Sequence, residues 1–599
     1  MQRFARILLT VRGSKQLHHD LERWDEILRV DGRAGHVRTV KVVGRMPPPD
    51  HDGEEEDIAV ANASAEDDEG SDSDSELDLC ELPKRPILFD GSRPQPTQPE
   101  RKKELDQPWI RLAHFLSRLS GLKDLVWACH NQLPPCLLSA VHEHHPRSRL
   151  HMHTFSLRSL YQDRNHLHRI DPDESAIATS PCLTSLAVTH YAFGTDGKVN
   201  YNEEAIFDMV AGLASNLTSV SMWLMHPGAS IDLQDAYATP RPPWQGFFPG
   251  SPRRETSAGH LQHLMLGWGG LSSDSIMAWS NRTNFDELRS LEIDDDISLE
   301  VLRTMTSLAQ GGTFQSLRRL ALAVRSEEQA EWIHMDEATG LFLEALGPLE
   351  DLSLSGFCAN VSFNAVLDRH GRSLRKLRLI PARKYRMVTT QFALSHQRIE
   401  EIAQGCPDLA QVEFLVPRTQ GDEQEVAIYG ALGQLKRLRR VSLLLDCSRM
   451  DLSNVEPGGC VRLGPNENVA TEDIRDAFVN AAVDSYLAIS IFRTITADNP
   501  NLERLKLKVY GAGDFGSGCF DTYMLDIMQW IGRSWVCTRN REEVVAKELG
   551  KSKRLRRGED LESNIEDGEY EKAWRSIWPD KTGNWKAGWS SLPLSERSN

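Results

Sequence analysis

The sequence predicts an α/β fold: an irregular leucine-rich-repeat solenoid, or horseshoe, with parallel strands on the concave side and helices outside. Three observations predict it. A hexad with apolar residues at positions 1, 4 and 6 recurs twelve times along the 599 residues. From Leu261 to Leu438 successive hexads start 27, 29, 32, 25, 35 and 29 residues apart, close to the ~20–29 residue period of leucine-rich repeats. Stretches between hexads carry apolar residues at helical spacing, as at Ile206, Met209, Val210 and Leu213, where Asn202 is placed to cap the start. Others close on Gly405 or Gly433, where a helix could end before the next strand. Side chains alternate along a strand, so in "SLRKLRLI" (373–380) Leu377 and Leu379 share one face while Lys376 and Arg378 take the other. One such unit cannot cover its own leucines, and neighbours must stack.

Residues 1–45 read as the first helix and strand of the solenoid. The Arg-rich start, "MQRFARILLTVRGSKQLHH", has no acid before Asp20 and mimics a mitochondrial presequence. The helical pattern runs straight on through "DLERWDEILR", which favours a folded helix. Residues 46–107 read as an acidic disordered insertion. Between 50 and 79 stand fourteen Asp or Glu and no Lys or Arg, against a net charge of −17 for the whole chain. Such a stretch has too little apolar surface to fold by itself, and its serines could be phosphorylated.

Residues 108–540 read as the body of the solenoid, with 230–259 and 446–473 as long Pro/Gly-rich loops. The ninth position of the repeat, usually Asn or Cys, holds Asp296, Phe357, Pro417 or Tyr510, and Asn131, Cys358 and Cys447 come one place later, so irregular turns are expected. Residues 541–599 read as a charged linker and a Trp-rich cap. "REEVVAKELGKSKRLRRGEDLESN" looks like a charged helix, and its "KSKRLRR" (551–557) is similar to a nuclear import cluster. Trp574 and Trp578, one helical turn apart, with Trp585 and Trp589 would cover the open end.

Outside the acidic stretch the chain is nearly neutral, which gives no basic footprint for nucleic acid. The ten cysteines are scattered without a C-x-x-C pair, which fits reduced thiols and a cytoplasmic or nuclear protein. No long uncharged apolar run offers a membrane span.

The residue between positions 4 and 6 of each hexad should project from the concave face. In order these are Lys41, Val126, Ala187, Ser221, Met265, Glu292, Ala321, Ser353, Arg378, Glu413, Ser442 and Lys506. Small, apolar and mixed groups suit a protein partner rather than a polyanion. The candidate contact residues are Glu292, Lys376, Arg378, Glu413, Arg440, Arg504, Lys506 and Lys508. Lys376 with Arg378, and Arg504 with Lys506 and Lys508, could read an acidic or phosphorylated segment, although solvated strand faces explain the same residues.

No catalytic, cofactor or metal site is expected. Gly511, Gly513 and Gly516 spell G-x-G-x-x-G after a strand, but no second strand ending in an acid follows, so a nucleotide enzyme remains only an alternative. His142, His144, His145, His151 and His153 cluster without a Cys pair or H-E-x-x-H, and Leu150 and Met152 alternate with the last two like a core strand. "DDD" (294–296) has no base or ligand partner beside it.

The opening "RFARILLTVRG…HVRTVKVV", the stretch "GLKDLVWACHNQLPPCLLSAVHEHHPRSRLHMHTFSLRSL" and the closing "WRSIWPDKTGNWKAGWSSLPL" resemble the fungal F-box proteins with degenerate leucine-rich repeats. In that family an N-terminal three-helix F-box grips the adaptor of a cullin-based ubiquitin ligase and the repeats hold the substrate. The resemblance therefore implies a monomer that binds a protein or substrate on its concave face, with a full ligase receptor as a further alternative. Met1 falls where the family's repeats begin. "LPPCLLSAVHEH" (133–144) mimics an F-box start only in outline, lacking the acid after Leu-Pro and lying between two strands, so an adaptor is implied only if an F-box lies upstream.

Overall fold

The computed structural model describes residues 5–47, 79–84, 106–162, 170–191, 199–225, 242–248, 258–267, 269–324, 331–356, 359–380, 394–447, 471–510, 530–540, 543–549, 569–579 and 588–595. They group into two compact units, one running to Asp295 with 312–317, the other holding 296–311 and the chain from Arg318 on. Both are mixed α/β, with a mostly parallel open sheet.

In the first unit the strands are β1 (Arg6–Val11), β2 (Thr39–Gly44), β3 (Asp124–Cys129), β4 (Arg149–Phe155), β6 (Leu183–Tyr191), β8 (Ser219–Met225), β9 (His263–Gly267) and β10 (Ser290–Ile297). They pair in that order, all parallel. The short strands β5 (Tyr161–Gln162) and β7 (Val199–Asn200) make a separate antiparallel pair. In the second unit β11 (Arg319–Val324), β12 (Asp351–Gly356), β13 (Lys376–Ile380), β14 (Gln411–Pro417), β15 (Arg440–Asp446) and β16 (Arg504–Tyr510) run parallel in sequence order. Two antiparallel strands, β17 (Trp535–Asn540) and β18 (Glu543–Glu548), follow them.

Strand order follows chain order, so every parallel crossover steps in the same direction. Crossovers of one hand then place the helices on one face of each sheet and leave the other helix-free. Toward the helices, the apolar residues at the fourth hexad position form continuous rows. Leu186, Val220, Leu264 and Leu291 stand side by side in the first unit, and Leu320, Leu352, Leu377, Val412, Val441 and Leu505 in the second. Each is at most 2% exposed, and burying such a side chain contributes roughly 1.5–3 kcal/mol.

The helices begin where the sequence supplies acceptors for their first free N–H groups. Ser298 caps Leu299–Gln310, Ser395 caps His396–Gly405, Asp422 caps Glu423–Gly433 and Asp484 caps Ser485–Asp498. Asn202 does not cap. It is the first residue of the helix Asn202–Asp208, and its side chain is engaged with the backbone of Leu157 at 2.8 and 3.1 Å.

Several expectations are corrected. Residues 1–45 hold two strands, because "RILLTV" alternates with Ile7, Leu9 and Val11 buried. "EVVAKE" within the charged run is the edge strand β18, not a helix, since Trp535–Asn540 offers it a strand to pair with. "LPPCLLSAVHEH" contributes the single helix Pro135–His144 between β3 and β4 and starts no separate three-helix module. Within the stretch expected to be disordered, Leu82 packs against the sheet residues Ala187, Trp223 and Met265.

At the far end Trp574 and Trp578 are buried, with Trp574 edge-on to Phe478 at 5.4 Å and Trp578 donating its indole N–H to the Ser590 carbonyl. Trp585, the "KSKRLRR" run, the glycines Gly511, Gly513 and Gly516, and most of the two long loops lie outside the described residues.

Candidate functional site

The strand register turns the twelve expected face positions into real rows. Lys41 pairs with Val126 and Val126 with His151; the register shifts between β4 and β6, where His151 stands opposite Ser185, and a second row then runs through Ala187, Ser221, Met265 and Glu292. In the second unit Ala321, Ser353, Arg378, Glu413, Ser442 and Lys506 stand on one rung. His151 is the row member that leucine spacing missed, because β4 carries histidines where its neighbours carry small or aliphatic residues.

Of the candidate contact residues, Glu292 is in the first unit and the other seven are in the second. Lys376, Arg440 and Arg504 share one rung with Gln411, and Lys508 stands beside Leu444. The expected cationic patch at Lys376 and Arg378 is largely neutralised. Lys376 lies 3.7 Å from Asp351 and Arg378 lies 3.3 Å from Glu413. Arg504 and Lys506 are buried rather than presented. Above this rung, Ile380, Leu415 and Leu444 form a buried apolar cluster on the helix-free face.

The first unit's face is different again. Val126, His151, Ala187, Ser221 and Met265 are all buried. Part of their cover comes from the chain itself. Leu82 packs on the cluster of Ala187, Trp223 and Met265. Trp223 can lie against the sheet because its neighbour is Gly267: a Cβ there would come within 2.6 Å of the indole. The indole nitrogen is buried with no hydrogen-bond partner among the described residues.

At the other end of residues 79–84, a segment here called the strap, Cys80 reaches the histidine side of the face. There His151 Nδ1 is 2.7 Å from Ser185 Oγ, and its Nε2 is 3.0 Å from Asp124 Oδ1. Arg149 donates to both oxygens of Asp124, at 2.6 and 3.0 Å. Burial pushes the Asp124 carboxyl up, but hydrogen bonds from His151 and Arg149 outweigh it and leave the group below its usual range. His153, hydrogen-bonded to the Cys80 backbone, is held neutral by burial, with its ionisation pushed down to about 3.

The remaining histidines of the sequence cluster are dispersed. His142 meets Ser180 Oγ, His145 meets the Leu116 carbonyl and His144 is exposed. Asp295, in the "DDD" run, accepts from the Leu271 backbone N–H at 2.9 Å. The described cysteines with resolved shifts are all pushed upward, by burial first of all, Cys406 and Cys537 to about 12. These thiols pack as small apolar groups.

No family model and no curated protein matches the chain. Among solved structures it is similar to the yeast Rad7 and Elc1 complex, at 10% identity and a TM-score of 0.33, covering 60% of this chain and 85% of that one. It is also similar to a Bacteroides fragilis protein, at 12% identity and a TM-score of 0.21, covering 44% of this chain and 61% of that one. At such TM-scores neither likeness bears on fold or function.

Proposed function

We propose that the protein is a non-enzymatic recognition protein, an irregular leucine-rich-repeat horseshoe whose helix-free face takes a short peptide segment of a protein partner. One observation carries this reading: residues 79–84, "LCELPK", already lie on that face in the first unit, with Leu82 on Ala187, Trp223 and Met265. A short irregular segment with one leucine anchor is therefore the kind of ligand the surface accommodates. Buried apolar contact supplies the affinity, and the mixed polar groups along the rungs supply selection. The role is similar to that of the substrate-binding part of F-box ubiquitin-ligase receptors, as the sequence resemblance implies.

The test replaces residues 79–84 with a Gly/Ser run of equal length and adds the peptide LCELPK in trans, followed by saturation-transfer NMR. The replaced chain is expected to bind the peptide, its Leu82→Asp version is expected not to bind, and partners retained by the replaced chain should be displaced by it. Failure of the replaced chain to bind the peptide would remove the basis of the reading.

A further inference from the structure

We propose that Cys80, Asp124 and His151 form a zinc site that fastens the strap to the first unit's sheet. The thiol sulfur, a carboxylate oxygen and an imidazole nitrogen lie within 4.8 Å of one another. The three come from separated places in the chain: the strap, the first residue of β3 and the centre of β4. Zinc takes all three ligand types, at ~2.0–2.3 Å, so ligand atoms around a tetrahedral ion stand roughly 3–4 Å apart. Small side-chain adjustments close this group around an ion, and water can fill a fourth position.

The surroundings suit that role. Ser185 Oγ, on the other ring nitrogen of His151 at 2.7 Å, is placed to accept Nδ1–H, which would leave the Nε2 lone pair facing Asp124. Without an ion, the other tautomer closes the 3.0 Å gap, with Nε2–H donating to Asp124 Oδ1 and Ser185 donating to Nδ1; with an ion, the Nε2 lone pair binds it instead. Arg149 also binds Asp124, but its side chain is 58% exposed, and a carboxylate has about four lone-pair positions to share.

His153 adds an independent observation. It is 4% exposed and bonded to the Cys80 backbone, and its Nε2 has no hydrogen-bond partner among the described residues. A buried imidazole nitrogen without a partner, on a residue that bonds the Cys80 backbone, is uncommon. Sequence spacing expected no metal here, because Cys80 stands far upstream of the histidines in the acidic stretch.

The site itself is independent of the recognition reading. Its consequence rests on that reading: zinc would hold the strap closed over the face, and its removal would expose Trp223 and Met265 to a partner.

The full chain, stripped with chelator, would be titrated with Co²⁺ and then with Zn²⁺ against a chromogenic competitor. A thiolate-to-cobalt charge-transfer absorption is expected, lost in Cys80→Ser and kept in Cys136→Ser, a half-buried thiol elsewhere in the unit. Zinc affinity is expected to fall at least ~10–100-fold in Cys80→Ser and in His151→Gln. Absence of the absorption, or its survival in Cys80→Ser, would overturn the site. Limited proteolysis around residues 79–84 separates the consequence: zinc should slow cleavage. Equal cleavage with zinc and with chelator would reject the fastening role even if Cys80 binds the ion.

Discussion

Arg418→Met is expected to destabilise the second unit by about 3–5 kcal/mol, because it strands a buried carboxylate. Arg418 and Glu425 form an ion pair in which both side chains are 0% exposed. Glu425 is the third helical residue after the Asp422 cap, and its carboxylate turns back over the helix start. There it accepts the N–H groups of Thr419 and Gly421, both at 2.9 Å, and the Tyr429 hydroxyl at 2.7 Å. With the guanidinium gone, these neutral donors remain and the opposite charge does not. Arg418→Met/Glu425→Leu removes both charges and should recover much of the loss. Urea unfolding followed on the second unit reads both numbers. A single-mutant effect below about 1 kcal/mol, or a double mutant worse than the sum, would contradict this account of the pair.

The second large effect is a loss of stability in mild acid, centred on His370. Its ring is fully buried, with Nδ1 accepting from the Leu349 N–H at 3.3 Å and Nε2 donating to the Leu343 carbonyl at 3.1 Å. One neighbour is a donor and the other an acceptor, so only the neutral tautomer satisfies both. Burial holds its ionisation down to about 4, below the ordinary value of 6.5. The folded chain therefore binds this proton less readily than the unfolded chain. The contribution is full above about pH 6.5 and is lost as pH falls to about 4, a change of about 3 kcal/mol. His153 acts in the same direction in the first unit. His370→Gln, which can also donate and accept without charging, should flatten the second unit's pH dependence between those limits. An unchanged slope would contradict the assignment.

Much of this architecture is legible in the sequence because leucine spacing and strand alternation are local properties. Leu352, Leu377 and Val412 announce their face by position alone, and the register then aligns Ser353, Arg378 and Glu413 as that spacing implies. Elements without the hexad were harder to see. In β4 the histidines replace the usual spacing with "LHMHTF", and β18 is a strand only because β17 offers it an edge.

The strap was not legible for a different reason. "LCELPK" has no period of its own, and what orders it is contact with Ala187, Trp223 and Met265, more than a hundred residues away. The same holds for Cys80 beside Asp124 and His151, and for the neutralisation of Lys376 and Arg378 by acids on the strands next to theirs. Such pairings are set by register across strands, and a single strand's sequence does not carry register.

The most direct measurement places a photo-reactive leucine analogue at position 82 and maps its cross-links in the intact chain by mass spectrometry. Cross-links to Trp223 or Met265 are the predicted result. Cross-links confined to residues outside β6, β8 and β9 would contradict a strap lying on the helix-free face.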